Sequence, residues 1–302
     1  MKGVVRKYGS SRYIVRDCVL LNLGGNDAPD LVLAGRIIHD TVLEREQLLV
    51  DGEIVKDHAT LPHAPSAIFV LMLDTHRLIY FAETRGAPKL QALRATIQRA
   101  IRDQWNWYIR RRKADLDQRG GRVFTLKELR EAEPEPTLRI VPLPTESSIE
   151  QFIDGFEVLK KVKLELIKPN DEIDAMAWLN DSRQMGAELG ASDAEISYSN
   201  RNGLDKKEVA ETVAQIAQGG NTEVSLYGTD RNGDRLTGNS EEFKLAVPVD
   251  EVSTQIEKAA PELVHVFRDK VEEGLIKLPP KTEENKGKLQ KLAQSLVRFI
   301  AR

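Results

Sequence analysis

The chain has 302 residues, of which 41% are hydrophobic and 30% are charged, and its formal net charge is −3. This length exceeds one average domain and the apolar fraction suffices for ordinary cores, so we expect two soluble domains. The longest apolar run, at residues 67–73, is too short to span a bilayer, which argues against direct membrane insertion. No secretory apolar segment opens the chain and Cys18 is its only cysteine, so the sequence predicts a cytoplasmic protein without an internal disulfide.

The first predicted domain, residues 1–130, is rich in β-strands. Residues 13–23 have strand composition and lead into a Gly-Gly-Asn-Asp turn. Residues 66–73 and 78–81 have the pattern of a hairpin. The N-terminal part is therefore expected to contain a sheet.

A long helical pattern follows this sheet and completes the first domain. Pro88 opens the pattern, because proline is tolerated in the first turn of a helix. Apolar residues recur at helical spacing until Gly120 and Gly121, which end it. A Glu/Pro-rich stretch at 131–136 then marks the predicted boundary between the two domains.

The second predicted domain, residues 137–277, alternates between strands and helices. Strands are expected at 137–143, 156–168, 195–199, 223–229 and 235–247. Helices are expected at 147–153, at 171–189, after the Asp205/Glu208 capping box, and from Asp250 to about Leu275 with an interruption near Pro261. Residues 278–302 are expected to form a linker and a terminal amphipathic helix. This alternation predicts an α+β fold with a mixed sheet and helices in the second domain.

A basic cluster with interleaved aromatic residues lies between Arg85 and Arg130. Thirteen Lys or Arg against four acids give this segment +9, so the rest of the chain carries −12. Trp105, Trp107 and Tyr108 lie in its middle. Because a local positive field can attract a polyanion that the rest of the molecule repels, the asymmetry predicts contact with nucleic acid.

The predicted contacts are eight cations of this segment and one tryptophan. The cations would neutralise phosphates, and Trp107 would stack on a base or a sugar. The cations are Arg99, Arg102, Arg110, Arg111, Arg112, Lys113, Arg119 and Arg122. An alternative interpretation stays open, in which Trp105 and Tyr108 pack in the core and the arginines form a solvated face.

The sequence contains no motif that identifies catalytic residues, so these are unknown, and it implies no cofactor. His39, His58, His63 and His76 have spacings that fit no common zinc site, so no metal site is expected. Residues 230–234 resemble the start of a calcium loop but lack its glycine and its later glutamate. A hairpin turn is predicted there instead, because Asn-Gly accepts the positive φ angles of tight turns.

Several short motifs occur in the order found in a known family. They are SAIFVL at 66–71, IYFA at 79–82, GAP at 86–88, RIVPL at 139–143, KKVKLE at 160–165, IKP at 167–169 and VSLYGTDRNGDRLT at 224–237. In this order of elements the chain resembles the RexA-type phage-exclusion proteins of temperate phage. The resemblance implies a homodimeric, two-domain cytoplasmic protein that binds duplex DNA with little sequence preference and acts in abortive infection. It implies no catalytic residue, and it does not cover the Trp/Arg-rich helix or the tail after residue 278.

The charge cluster and the resemblance together predict a sequence-tolerant DNA-binding protein of phage defence or phage exclusion. Its expected partners are DNA or RNA, a second copy of the chain and a further defence-system protein. Two alternatives stay open. One is a metal-dependent nuclease or toxin effector that uses dispersed carboxylates, and the other is an adaptor that binds only protein.

Overall fold

The structure is a computed structural model of the chain. The residues it describes are 3–9, 11–25, 30–120, 123–167, 177–191, 193–217, 220–278 and 287. The predicted contact Arg122, the first residues of the helix expected at 171–189 and the terminal helix expected after residue 287 lie outside them. Among the described residues, no helix has both the length and the hydropathy needed to cross a membrane.

The first sheet is built from the N-terminal part of the chain and is antiparallel throughout. Its strands are β1 (Val4–Tyr8), β2 (Ser11–Asn22), β3 (Leu31–Val50), β4 (Glu53–His63), β5 (Ser66–Met72) and β6 (Arg77–Ala82). Five of them lie side by side in the order β1-β2-β3-β5-β6, and β4 pairs with the second half of β3. The hairpin predicted from residues 66–81 is β5 and β6.

Six helices are found in the described part of the chain. They are α1 (Leu90–Arg119), α2 (Leu126–Ala132), α3 (Glu146–Asp154), α4 (Ala177–Glu188), α5 (Lys206–Ala217) and α6 (Ile256–Glu272). Two of them, α1 and α6, cover the two faces of the first sheet. Leu93 of α1 packs with Phe69 on one face, and Leu263 of α6 packs with Ile68 on the other. Because successive strand residues point to opposite faces, the run at 67–73 is apolar throughout and buried on both sides.

The second sheet is also antiparallel and is covered by helices on one face. Its strands are β7 (Val158–Leu166), β8 (Ala194–Ser199), β9 (Thr222–Thr229) and β10 (Arg235–Asn239), in the order β10-β9-β7-β8. Val162 and Leu164 of β7 are buried against α3 and α5, while Lys161 and Lys163 lie on the opposite face. This is the period-two pattern that the sequence predicts for residues 156–168. The two sheets and their helices confirm the α+β fold class.

The strand predicted at 137–143 is wrong. These residues form no strand, and the backbone groups of Leu138 and Leu143 pair with a side chain and a loop. The Leu138 N–H donates to the Gln98 side chain at 2.6 Å, and Leu143 O accepts from Leu245 N at 2.6 Å. Strand composition alone does not supply a neighbouring strand, and this segment has none beyond an isolated bridge at Pro144.

Two further boundaries differ from the prediction. The strand expected at 235–247 ends at Asn239, because the Asn239 side chain accepts from the Glu241 N–H and turns the chain. The last helix begins at Ile256 and continues through Pro261. The missing N–H of an interior proline costs about 3 kcal/mol, and burial of four neighbouring residues, Ala259, Ala260, Leu263 and Val264, offsets it.

The domain limits predicted from the sequence stay a prediction. The helix α6 lies in the second predicted domain along the chain, yet it packs on the first sheet. The chain therefore leaves the second sheet after β10 and returns to the first sheet with α6.

Candidate nucleic-acid interface

The helix α1 carries the predicted contacts, and its two halves have different surroundings. Its 30 residues span about 45 Å at 1.5 Å per residue. In the inner half, residues 90–104, Leu93 and Thr96 are buried against the first sheet. In the outer half, residues 105–119, Ile109 is the single buried residue. The helix therefore runs beyond the sheet that anchors it.

The outer half is held from one side by α2 and the residues after it. Thr125 and Glu128 form a capping box that begins α2, and Leu129 is buried. The Trp105 indole Nε1 donates to the Glu133 carbonyl oxygen at 3.0 Å, and the Arg130 guanidinium lies 5.6 Å from the Trp105 ring. Trp105 is thus a structural residue that joins α1 to this segment.

Acidic residues pair with four of the predicted cations. Arg102 lies 2.8 Å from the Glu135 carboxylate, and Arg112 lies 2.6 Å from the Glu133 carboxylate. Within the helix, Arg99 and Lys113 pair with the residues four positions later, Asp103 at 3.7 Å and Asp117 at 2.6 Å. The field of these four cations is therefore reduced by neighbouring carboxylates.

Trp107, Arg110 and Arg111 lie together on the free side of the outer half, and we call them the Trp107 patch. Their spacing of three and four residues places them on neighbouring turns of one helix side. Trp107 is 55% exposed, and the Arg111 guanidinium lies 5.3 Å from its ring centre. Neither arginine forms an ion pair with any acid in the described ranges. The patch combines an aromatic surface with two unneutralised charges.

The remaining predicted contacts lie off this patch. Arg119 is in the last turn of α1, where a cation is also favoured by the helix dipole, so its charge has a structural reason. Asp103 and Asp115 lie one turn before Trp107 and one turn after Arg111, and they limit the length of the positive strip. The structure thus brings together three of the nine predicted residues and leaves the others paired, separate or outside the described ranges.

The structure also places Tyr108, which the alternative interpretation put in the core, and two glutamates that the sequence did not assign to the site. Tyr108 is 42% exposed, and a hydrogen bond to the Glu133 carboxylate raises the pKa of its phenol. Glu133 and Glu135 belong to the Glu/Pro-rich stretch read as a domain boundary. The sequence shows that these acids follow a basic helix. Only the fold shows that Glu133 pairs with Arg112 and Glu135 with Arg102.

A cavity of about 1550 Å³ lies apart from the patch. It is bounded by β6, residues 137–143 and the loop at 241–249. None of the eight predicted contacts that the structure describes lines it. Groups of three or more His, Cys, Asp or Glu that could hold a metal ion do not occur within the described ranges.

Comparison with known proteins adds one partial match. A family model described as a domain of unknown function, DUF4747, matches residues 124–266. The match runs from the residues just before α2 into α6, slightly under half of the chain, and it does not include α1. Searches of the curated proteins and of the solved structures gave no match.

Proposed function

We propose that this protein binds duplex DNA with little sequence preference, and that the Trp107 patch is its contact surface. The observation that supports this is the separation of paired and unpaired cations on α1 between Arg102 and Arg112. The cations facing residues 133–135 are paired, whereas Arg110 and Arg111 are exposed and have no acid partner among the described residues. Two free guanidinium groups beside an exposed indole suit a phosphate backbone and a base or sugar surface.

The small size of the patch sets the expected affinity. Each phosphate that a protein neutralises adds about 0.9 to the slope of log affinity against log salt. Two arginines therefore account for a slope of about 1.8, so we expect weak, non-specific binding that salt reduces further. No groove-reading element is needed for such binding.

The test is the affinity for a DNA duplex, measured by fluorescence anisotropy over a range of salt concentrations. The variant R110E/R111E reverses both charges of the patch. The matched control R201E/R231E makes the same change in net charge at two exposed arginines in the turns of the second sheet. We expect R110E/R111E to weaken binding at least tenfold and to lower the salt slope by about 1.8, while the control binds like wild type.

Two results would overturn the proposal. Equal weakening by both double variants would show that only the net charge of the protein matters. Wild-type affinity of R110E/R111E would remove the patch from the interface. Adding Mg²⁺ or Mn²⁺ to the same mixtures and checking the DNA for cleavage distinguishes binding from the nuclease alternative.

The biological setting that we propose is phage exclusion, with the protein acting on DNA in the infected cell. It is supported by the resemblance to the RexA-type proteins, whose motifs at 66–82 and 224–237 fall on the two hairpins, β5–β6 and β9–β10. We expect cells that carry the wild-type chain to lower phage plating efficiency, and cells with R110E/R111E to restore it. Equal plating with and without the protein would refute this setting.

A further inference from the structure

Beyond the first sheet, β3 and β4 continue as a two-stranded ribbon, residues 41–63, which we call the arm. The neighbours of β3 end at its base, since β2 pairs only up to Asp40 and β5 only up to Ile38. Asp51 and Gly52 close the arm with φ angles of 51° and 86°, as a two-residue hairpin turn of the primed type requires. Ten residues of strand make the arm about 33 Å long.

The arm exposes large apolar side chains, although it has no covering layer among the described residues. Eight of them are exposed: Val42, Leu43, Leu48, Leu49, Val50, Ile54, Val55 and Leu61. The three most exposed are Leu49 at 73%, Ile54 at 71% and Leu61 at 63%. A two-stranded ribbon is at best marginally stable in water, and a contiguous apolar patch marks an interaction surface. The arm therefore needs a partner.

One face of the arm has an apolar–polar–apolar pattern along its length. Leu43 pairs with Leu61 at the base, and Leu49 pairs with Ile54 near the tip. Between them lie Arg45 opposite Ala59 and Gln47 opposite Lys56. The irregularity between Arg45 and Gln47 adds its extra residue to β4, so the alternation of β3 is unbroken and these pairs share one face.

This pattern is self-complementary. A two-fold axis through the middle of the face, perpendicular to the strands, lays the face of a second arm antiparallel on the first. The tip of one arm then lies on the base of the other, so apolar residues meet apolar residues at both ends. The polar middle tolerates this pairing, because Arg45 Nε already donates to the Asp57 carboxylate at 2.6 Å. The opposite face is less suited, since under the same axis Glu46 would meet its own copy and Glu44 would meet Leu48.

The apolar surface continues from the arm onto the neighbouring turn of the first sheet. Tyr8 pairs with Ser11 at the turn between β1 and β2, beside the base of the arm, and is 68% exposed. The strand register places it on the same side of the sheet as Ile37, which is the side that carries the Leu43 face. The tip of a second arm would reach this residue after passing the base.

We propose that two copies of this chain associate through the Leu43/Leu61/Leu49/Ile54 face of their arms, antiparallel about a two-fold axis. The contact is isologous, so Leu49 and Ile54 of each copy pack on Leu43 and Leu61 of the other. A ribbon 33 Å long and two strands wide buries on the order of 800–1,000 Å² in total, near the lower limit of specific interfaces. The dimer is therefore reversible and depends on protein concentration.

Sedimentation velocity of the full chain between 1 and 100 μM tests this association. We expect wild type to change from monomer to dimer in this range and L49E/I54E to stay monomeric throughout. The matched control is L48E/V55E, which makes the same change at a directly paired position on the opposite face of the arm. It should dimerise like wild type, and at 1 μM, where all three proteins are monomeric, they should give the same circular dichroism spectrum and melting temperature.

A disulfide experiment tests the antiparallel register. In a C18S background, L43C/L49C places two thiols six residues apart on one strand, about 20 Å, which is too far for a disulfide within one copy. Mild oxidation should give a covalent dimer, and L49C/L48C should not give it with comparable yield. A monomeric wild type at 100 μM would assign the arm to a different protein and overturn the proposal. Equal loss of dimer in both glutamate variants, or no covalent dimer from L43C/L49C, would overturn the face and the register.

Discussion

The two halves of α1 share one helix but have opposite relations to the rest of the molecule. The inner half fits against the first sheet through Leu93 and Thr96, which are fully buried. The outer half extends past the sheet, and α2 with residues 133–135 contacts only one of its sides. The side left open carries Trp107, Arg110 and Arg111. A helix that is longer than the sheet beneath it thus becomes structural at one end and available for binding at the other.

The exposed arginines of α1 also differ in whether an acid pairs with them. Arg102 and Arg112 are exposed yet paired with glutamates, and such surface pairs contribute about 0–1 kcal/mol each to stability. Arg110 and Arg111 contribute no such pair with the described residues. Under the proposed function, their partner is an external anion, the DNA phosphate.

The largest expected effect separates the two halves by their contribution to stability. Leu93→Ala removes a fully buried side chain from the core beneath α1, so the free energy of unfolding should fall by about 2–5 kcal/mol. Trp107→Ala should change it by less than about 0.5 kcal/mol, because the ring lies on the surface. Urea unfolding monitored by circular dichroism measures both. A loss of 2 kcal/mol or more in the Trp107 variant would mean that the outer half is structural after all.

A smaller effect should appear when the arginines of α1 that pair with Glu133 and Glu135 are released. Glu133→Gln with Glu135→Gln removes the acids that hold Arg112 and Arg102. The freed guanidinium groups should strengthen DNA binding several-fold and raise the salt slope by up to about 1.8, at a stability cost below about 1 kcal/mol per pair. Anisotropy titrations at two salt concentrations measure this. Unchanged affinity would show that Arg102 and Arg112 face away from the DNA.

The smallest effect concerns Glu223, an acid of β9 that interacts with Arg94 in the inner half of α1. Burial raises the pKa of Glu223 above its ordinary value of 4.5, Glu165 adds to the shift, and Arg94 of α1 opposes it. The folded protein holds this proton more tightly than the unfolded chain, so stability falls as pH rises through the interval between the two pKa values. Glu223→Gln should therefore raise the melting temperature slightly at pH 8 and leave it unchanged at pH 4. The gain in the free energy of unfolding at pH 8 should be less than about 1 kcal/mol, because the group is half exposed. A gain at pH 4 that equals the gain at pH 8 would contradict this origin.

Much of the fold could be predicted from local patterns. The alternation at 156–168 and the Asn-Gly turn at 232–233 identify β7 and the β9–β10 hairpin, because side-chain period and turn geometry are properties of the segment itself. The strand predicted at 137–143 was wrong, since strand composition does not show whether a neighbouring strand is present. The arm was not predicted, although Asp51-Gly52 is a hairpin signal, because apolar residues on both of its faces hide the period of two.

The candidate site was predictable in its location but not in its detail. The excess of thirteen cations over four acids marked α1, and the helical period indicated that the run Arg110–Lys113 spreads around the helix. Which of these arginines meet Glu133 and Glu135 depends on how the chain folds back after α2, which is a tertiary contact without a local signature. The same fold determines that Trp105 is bonded and Trp107 is exposed.

The salt dependence of DNA binding by R110Q/R111Q, compared with R102Q/R112Q, tests the central claim most directly. Both variants remove two arginines from α1, but one pair is free and the other is held by glutamates. The account predicts that the salt slope falls by about 1.8 for R110Q/R111Q and stays at the wild-type value for R102Q/R112Q. An equal fall in both variants, or an unchanged slope for R110Q/R111Q, would contradict the claim that the Trp107 patch meets the DNA backbone.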